Sequence, residues 1–389
     1  MPAGQQVLQS ALALEPREVD FLAQFQVLKR GYPPELARAA LEIAILRAEA
    51  EVKFPFAGKM YFTRQALEQA SAWQVAAYRA ERYRHYDRIL DLGCSVGSDT
   101  LALAEMAPTL GVDLDSLRLN MAQANLIALG LDQRVDLLKA DLNQALPLRG
   151  ISGSVGLFFD PARRSGDRRI YSVRDYQPPL DVIKQWITRY PSLGVKISPG
   201  VRLEELSSYE AEVEFISLDG ALKEAVLWFG PLRGADRRAT VLPGPHTMVG
   251  TTEQLPAVLC EPGAWLYEPD PAVLRAGLVR QLAGQLGAAQ LDPDIAYLTA
   301  KECITTPFAR LWQVEDWFPF GMKRLREYLR ARDVGHLIVK KRGSPLQPEV
   351  LIRDLRLQGE AERTIFLTHL RGRPIVVVAE QLRTASTLK

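Results

Sequence analysis

The stretch DLGCSVGSD, Asp91–Asp99, decides the fold. It follows the apolar run RILDL (88–92) and leads into DTLALAEMA, so it is the turn from a strand into a helix. Gly93 and Gly97 allow a tight turn and close approach of a ligand to the backbone, and the helix N-terminus behind them offers free N–H groups. A dinucleotide fingerprint, GxGxxG, would need glycine where Ser95 stands. The spacing is GxxxG instead.

The same rhythm continues outward. TLGVDLD (109–115), RVDLLKAD (134–141), GLFFD (156–160) and LGVKIS (193–198) read as strands, with helical stretches such as SLRLNMAQANLIALG and LDVIKQWITRY between them. Strand alternating with helix predicts a parallel sheet with helices on both faces. AEVEFISL (211–218) and KEAVLWF (223–229) are separated only by the turn DGAL, which leaves no room for a crossover helix. The strands end in Asp91, Asp113 and Asp141, at the edge where open α/β sheets bind ligands. Asp113 can accept both hydroxyls of a ribose, and Asp141 is within reach of an adenine amine.

DLGCSVG, GVDLD, KAD and FFDPARR together resemble the class I S-adenosylmethionine-dependent methyltransferases over roughly residues 86–230. The resemblance implies a Rossmann-like seven-stranded sheet, whose reversed last strand the hairpin at 211–229 supplies, and S-adenosylmethionine as cofactor. It places Gly93, Cys94 and Gly97 beside the methionine moiety, with Asp91 and Asp99 around its amine. Asp113 and Leu114 fall at the ribose, and Asp141 and Leu142 at the adenine. Ser95 departs from the family, which often has glycine there, and narrows the loop. Cys94 reads as a small apolar residue of that loop.

FFDPARRSGDRRIYSVR, Phe158–Arg174, carries the acceptor chemistry. Asp160 and Pro161 stand where the acceptor would lie, and the Asp160 carboxylate and Pro161 carbonyl can accept hydrogen bonds from an exocyclic amine. DPAR is similar to the (D/N)PP(Y/F/W) motif of amino methyltransferases and the DPPR of some RNA methyltransferases. Ala162 replaces the second proline and an arginine replaces the stacking aromatic, and an arginine plane or nearby Tyr171 could substitute for that aromatic. Arg163, Arg164, Arg168, Arg169 and Arg174 suit a phosphate backbone, against the plainer reading of a solvated loop offset by Asp167 and Asp175.

Charge points the same way. The net charge is only +2, but residues 321–389 hold fifteen Lys/Arg against seven Asp/Glu. Lys323, Arg324, Arg326 and Arg330 run along GMKRLREYLR, and Lys340, Lys341 and Arg342 end a strand, a second basic region suited to phosphate neutralisation. KMYFTRQALEQAS, YLTAKECITTPFARLW, VKKRG and ERTIFLTHLRGRPIVVVAE resemble a bacterial group of methyltransferases with a THUMP-like C-terminal domain. That resemblance implies binding of RNA, tRNA or rRNA, as substrate.

Three domains are expected: a helical N-terminal cap (1–85), the Rossmann-like methyltransferase domain (86–230), and a small α+β THUMP-like region (231–389) for RNA. Thr63 is the expected N-cap of a single helix RQALEQASAWQVAAYRA, and Lys59, Phe62 and Thr63 are candidates to line the cofactor's open side. GPLRGADRRATVLPGPH (230–246) reads as a linker or crossing segment.

Other chemistries compete. Asp160, Lys196 and Glu224 occur in the order of a ribose 2'-O site, with a structural pairing of Lys196 to Glu224 as the plainer reading. A non-catalytic RNA-binding protein is a further alternative. Carbon-5 methylation of a pyrimidine is disfavoured, since neither FFDPARR nor VKISPG contains a cysteine nucleophile. Cys94, Cys260 and Cys303 lie far apart without a CxxC pair, and the four histidines are scattered, so no metal is expected. No basic leader and no run of roughly 18 apolar residues is present, which places the chain in the cytoplasm without a membrane partner.

Overall fold

The computed structural model describes residues 3–382 apart from 145, 147–152, 163, 166, 167, 170, 171 and 254. The chain forms two compact units, one of residues up to 212 with 223–234, the other of 213–222 with residues from 235 onward.

Among the described residues, nine strands lie between 88 and 228: β1 (Arg88–Leu92), β2 (Thr109–Asp113), β3 (Val135–Lys139), β4 (Val155–Phe159), the two-residue β5 (Arg164–Ser165) and β6 (Arg168–Arg169), β7 (Leu193–Ile197), β8 (Glu212–Leu218) and β9 (Ala221–Trp228). In the first unit the sheet runs β9-β7-β4-β1-β2-β3. Every pairing is parallel except β7 with β9, so the reversed last strand is present. This is the Rossmann-like methyltransferase order. β7 is buried along its whole length, as a parallel strand covered on both faces must be. Gly194 on β7 is required by packing, since a Cβ there would meet the Tyr83 hydroxyl at 2.4 Å and the Trp228 ring at 2.5 Å.

Helices α1 (Ala3–Leu12), α2 (Phe21–Leu28), α3 (Pro34–Ala50), α4 (Arg64–Gln69) and α5 (Trp73–Ala80) precede the sheet; α6 (Ser98–Met106), α7 (Ser116–Leu129) and α8 (Ile183–Ile187) alternate with its strands. α1 buries Val7, Leu8 and Ala11 in a cluster with Ala37 and Leu41 of α3. The single helix expected over 64–80 is broken, because Ala70 and Ala72 are extended. Tertiary contacts hold the break: the buried Ser71 hydroxyl donates to Glu224 at 3.0 Å and accepts from Arg79 at 3.0 Å. Phe54, Met60, Phe62 and Leu67 share one core cluster with Val96, Leu101 and Leu126, so the helical residues pack directly on the α/β layer.

In the second unit β8 pairs in parallel with β10 (Arg237–Leu242), which pairs with β11 (His246–Gly250). The segment 230–246 is therefore not a linker. Pro243, Gly244 and the charged residues mask a strand whose Ala239, Thr240 and Leu242 are buried. A second sheet contains β12 (Trp265–Pro269), β13 (Ala289–Asp292), β14 (Ile295–Ala300), β15 (Ala309–Pro319), β16 (Val334–Lys341), β17 (Ala361–Leu370) and β18 (Arg373–Gln381). Its order is β13-β14-β12-β15-β18-β17-β16. α9 (Pro271–Ala276) and α10 (Val279–Gln285) are split by Gly277 at φ 76°, and α11 (Met322–Arg330) and α12 (Pro348–Leu355) follow. Leu325, Leu329, Leu351 and Leu355 of α11 and α12 pack against Ile365 and Val376 of the sheet.

Candidate active site

The glycine turn after β1 is pressed against the end of β4. Gly93 has φ 84°, and a Cβ on it would lie 2.6 Å from the backbone oxygen of Asp160. Ser95 takes φ 51°, a conformation that disfavours a side chain and accounts for the glycine common at such positions. Its N–H donates to Asp113 Oδ2 at 2.8 Å, while Asp113 Oδ1 accepts from Asp115 N at 2.9 Å. Two backbone donors thus fix the Asp113 carboxylate, and each oxygen retains acceptor capacity. Gly97, also at φ 84°, opens α6. Cys94 is buried, and burial pushes its thiol well above the usual range, so it is inert.

These residues border a cavity of about 280 Å³ whose lining includes Asp113, Leu114, Asp141, Leu142, Asp160 and Pro161. Asp141 accepts from the backbone and side-chain nitrogens of Asn143, which lowers its pKa. Leu114 is exposed and Leu142 buried. Ala162 and Gln177 exchange backbone hydrogen bonds of 3.0 and 3.1 Å and brace the Asp160–Pro161 pair. From the helical region, the cavity is lined by Ala66, Gln69 and Ala70. Lys59, Phe62 and Thr63 do not line it: Lys59 is exposed, Phe62 belongs to the core, and Thr63 caps α4 by accepting from Ala66 N.

Beneath the cavity lies a buried ionic network that the sequence reading did not foresee around Arg79. Arg79 is 2% exposed, pairs with Asp99 and with Glu224 Oε1 at 2.8 Å, and stacks on Phe158 with Cζ 4.5 Å from the ring centre. Burial opposes its charge, but Asp99, Glu224 and Asp160 outweigh that and raise its pKa. Lys196 does not pair with Glu224 as the plainer reading had it. Its ammonium lies 2.7 Å from Asp160 Oδ2 and 3.9 Å from Asp99 Oδ2. Asp99 lines the cavity; Asp91 is fully buried behind it and accepts from the Thr100 hydroxyl. Burial, then repulsion from Asp99, pushes the Asp91 carboxyl up to about 8.

Two S-adenosylmethionine-dependent methyltransferases of Mycobacterium tuberculosis, both described as uncharacterized, are each 38% identical to the chain over 317 residues, covering 79% of it and 84% of their own length. The chain belongs to the S-adenosylmethionine-dependent methyltransferases. A crystal structure assigned as a methyltransferase from Porphyromonas gingivalis W83 shares its fold, with TM-score 0.77 and 22% identity over 95% of this chain and 100% of that one. A THUMP domain-like family model matches residues 309–381, and a model described as a domain of unknown function, DUF8688, matches residues 1–50. The protein is thus an enzyme whose cofactor is S-adenosylmethionine.

Of the residues expected to bind substrate, Arg163 and Tyr171 lie outside the described residues. Arg164 and Arg168 fall on β5 and β6, which pair antiparallel. In the second unit Lys323 is 89% exposed with only a 3.9 Å contact to Glu327, and Arg324 stacks on Phe318. Lys341 donates to Leu346 O at 2.9 Å. Lys340 is bound to Glu268 at 2.6 Å, so its charge is already neutralised within the unit and it is the weakest of the four for a phosphate. Arg326 and Arg330 donate to the carbonyls of Asp354, Leu355 and Arg356, capping the end of α12. Among the described residues, no group of His, Cys, Asp and Glu is arranged to hold a metal ion, and no helix is long and apolar enough to cross a membrane.

Proposed function

We propose that this methyltransferase acts on RNA and delivers the methyl group to a base nitrogen held at Asp160–Pro161. S-adenosylmethionine, when bound, supplies a methyl group on a sulfonium that is already an activated leaving centre, so alignment carries more of the barrier reduction than acid–base work. The cavity fits such a molecule: a glycine cradle at Gly93 and Gly97, the N–H groups of α6, and carboxylates at two neighbouring strand ends. In this reading Gly93, Cys94 and Gly97 hold the methionine end, Asp99 faces its amine, Asp113 and Leu114 take the ribose, and Asp141 and Leu142 the adenine. Asp91 supports the turn from behind.

The observation that carries the acceptor assignment is the placement of Asp160. It ends β4, lines the cavity, and touches the cofactor turn through its own backbone oxygen. Its carboxylate is committed to Lys196 through Oδ2 only; among the described residues no donor is bonded to Oδ1. That oxygen accepts a hydrogen bond from the amine and aims the nitrogen lone pair at the methyl group. RNA as substrate is supported by the THUMP domain-like match and by the basic charge of residues 321–389. The region from 231 onward then serves as the RNA-binding part, and the enzyme works in the cytoplasm on tRNA or rRNA.

Ribose 2'-O methylation is the second reading, favoured by the 2.7 Å contact of Lys196 with Asp160. Against it, Glu224 is bonded to Arg79 and Ser71, and Lys196 is 2% exposed. Nucleoside analysis of RNA methylated by the enzyme decides: a base-methylated nucleoside supports the first reading, and a 2'-O-methylated one replaces it with the second.

A further inference from the structure

Lys196 joins three parts of the site. Its ammonium has three N–H groups and three oxygen neighbours: Asp160 Oδ2 at 2.7 Å, the Gln69 carbonyl at 3.3 Å and Asp99 Oδ2 at 3.9 Å. Asp160 follows β4, Gln69 ends α4 on the cavity wall, and Asp99 lies in the first turn of α6. The side chain is only 2% exposed, so it meets the cavity through these partners rather than directly. The end of α4 is itself immobilised, because Lys53 Nζ donates to the carbonyls of Leu67, Glu68 and Ala70 at 2.7, 3.2 and 2.9 Å. Lys196 is therefore anchored at both ends of its reach.

We propose that Lys196 is the positioning residue of the acceptor site: it grips Asp160 through Oδ2 and so fixes the rotamer that presents Oδ1 to the incoming amine. This rests on the reading of Asp160 as the acceptor-binding group. A carboxylate at a strand end with one free χ2 torsion has several orientations, and a charge-assisted hydrogen bond to a buried ammonium selects one. The lysine acts through Asp160 and takes no proton from the substrate. That separates it from a 2'-O mechanism, in which the same lysine must touch the acceptor hydroxyl.

The test combines transfer kinetics with crystal structures bound to S-adenosylhomocysteine. Lys196→Met is expected to lower kcat about 100-fold, the scale of a misplacement near 1 Å, with RNA KM and cofactor affinity within about twofold. Lys196→Gln, which keeps a donor, is expected to recover about tenfold of that loss. In an Asp160→Asn background Lys196→Met should cost nothing further if the lysine acts through Asp160 rather than through its contacts with Asp99 and Gln69. In the crystals, Asp160 should hold one rotamer against Lys196 in the wild type and leave it in Lys196→Met. Wild-type kcat in Lys196→Met, a full additional loss in the Asp160→Asn background, or an unmoved Asp160 would each overturn the inference. If the wild type methylates no RNA, the substrate reading fails while the crystal comparison still decides the role of Lys196. If Lys196→Met does not fold, the Lys196→Gln structure decides it: Asp160 bonded to the new amide supports the role, and Asp160 in its old place without that bond refutes it.

Discussion

A Cβ added to Gly93 would lie 2.6 Å from the backbone oxygen of Asp160, so the glycine turn after β1 is packed too closely on the main chain at Asp160 to admit a side chain. Neither side can yield as a flexible side chain would. Gly93 also sits at φ 84°, where any other residue is strained by about 1–3 kcal/mol. Gly93→Ala is expected to weaken S-adenosylmethionine binding by about tenfold or more and to lower the thermal midpoint. Calorimetric titration of the folded variant checks this, and wild-type affinity would show that the turn is free to adjust.

Arg79 neutralises Asp99 and Glu224 in a fully buried setting. Removing the guanidinium takes the closest cation from both buried carboxylates, leaving Asp99 with the Lys196 ammonium at 3.9 Å and Glu224 with the Ser71 hydroxyl, which costs about 3–5 kcal/mol. Arg79→Met is expected to lose that much stability in denaturant titrations. A change below about 1 kcal/mol would mean that water reaches the network.

Much of this architecture is legible in the sequence, because strands that end in Asp91, Asp113 and Asp160 combine apolar runs with an abrupt polar residue at the sheet edge. Further on, ARLWQVEDW, GMKRLREYLRARD, HLIVKKR, QPEVLIRDLRL, RTIFLTHL and PIVVVAE read as strand, helix, strand, helix, strand and strand, the order in which β15, α11, β16, α12, β17 and β18 follow one another. What escapes is whatever depends on a distant partner. The break at Ala70–Ala72 needs Glu224 to hold Ser71, and no local signal near RQALEQASAW records that. Arg79 reads as an ordinary helix residue until Asp99 and Glu224 are brought beside it. The strand at 237–242 hides behind charged and turn-forming neighbours, and Arg326 and Arg330 look like phosphate ligands until α12 ends beneath them.

Asp91 gives the protein a pH signature. Its folded pKa is raised to about 8 from an ordinary value of 3.8, so the folded state keeps a proton that the unfolded chain has released. The associated stability is present in full below the unfolded value and is lost as pH rises toward about 8. Denaturation of the cofactor-free enzyme is expected to show stability falling by a few kcal/mol, to order of magnitude, across that window. Asp91→Asn should flatten the slope; an unchanged pH dependence would assign it to other groups.

Lys323 and Lys340 should behave differently although both lie in the basic C-terminal region. Lys323 is open to solvent, whereas Lys340 is bound to Glu268. The double variant Lys323→Ala, Arg324→Ala is expected to weaken tRNA binding and to reduce the slope of log affinity against log salt by about 1–2. Lys340→Met should instead lower thermal stability and leave that slope alone. Gel shifts at several salt concentrations separate the two, and equal salt slopes for all variants would remove this face from the RNA site.

If Asp160 organises methyl transfer to RNA, incubation of total RNA with the enzyme and cofactor labelled in its methyl group reads that role out. Label is expected in a base-methylated nucleoside, reduced about 100-fold or more by Asp160→Ala while cofactor affinity stays within about twofold. Undiminished incorporation by Asp160→Ala, or no label in RNA from the wild type, would contradict it.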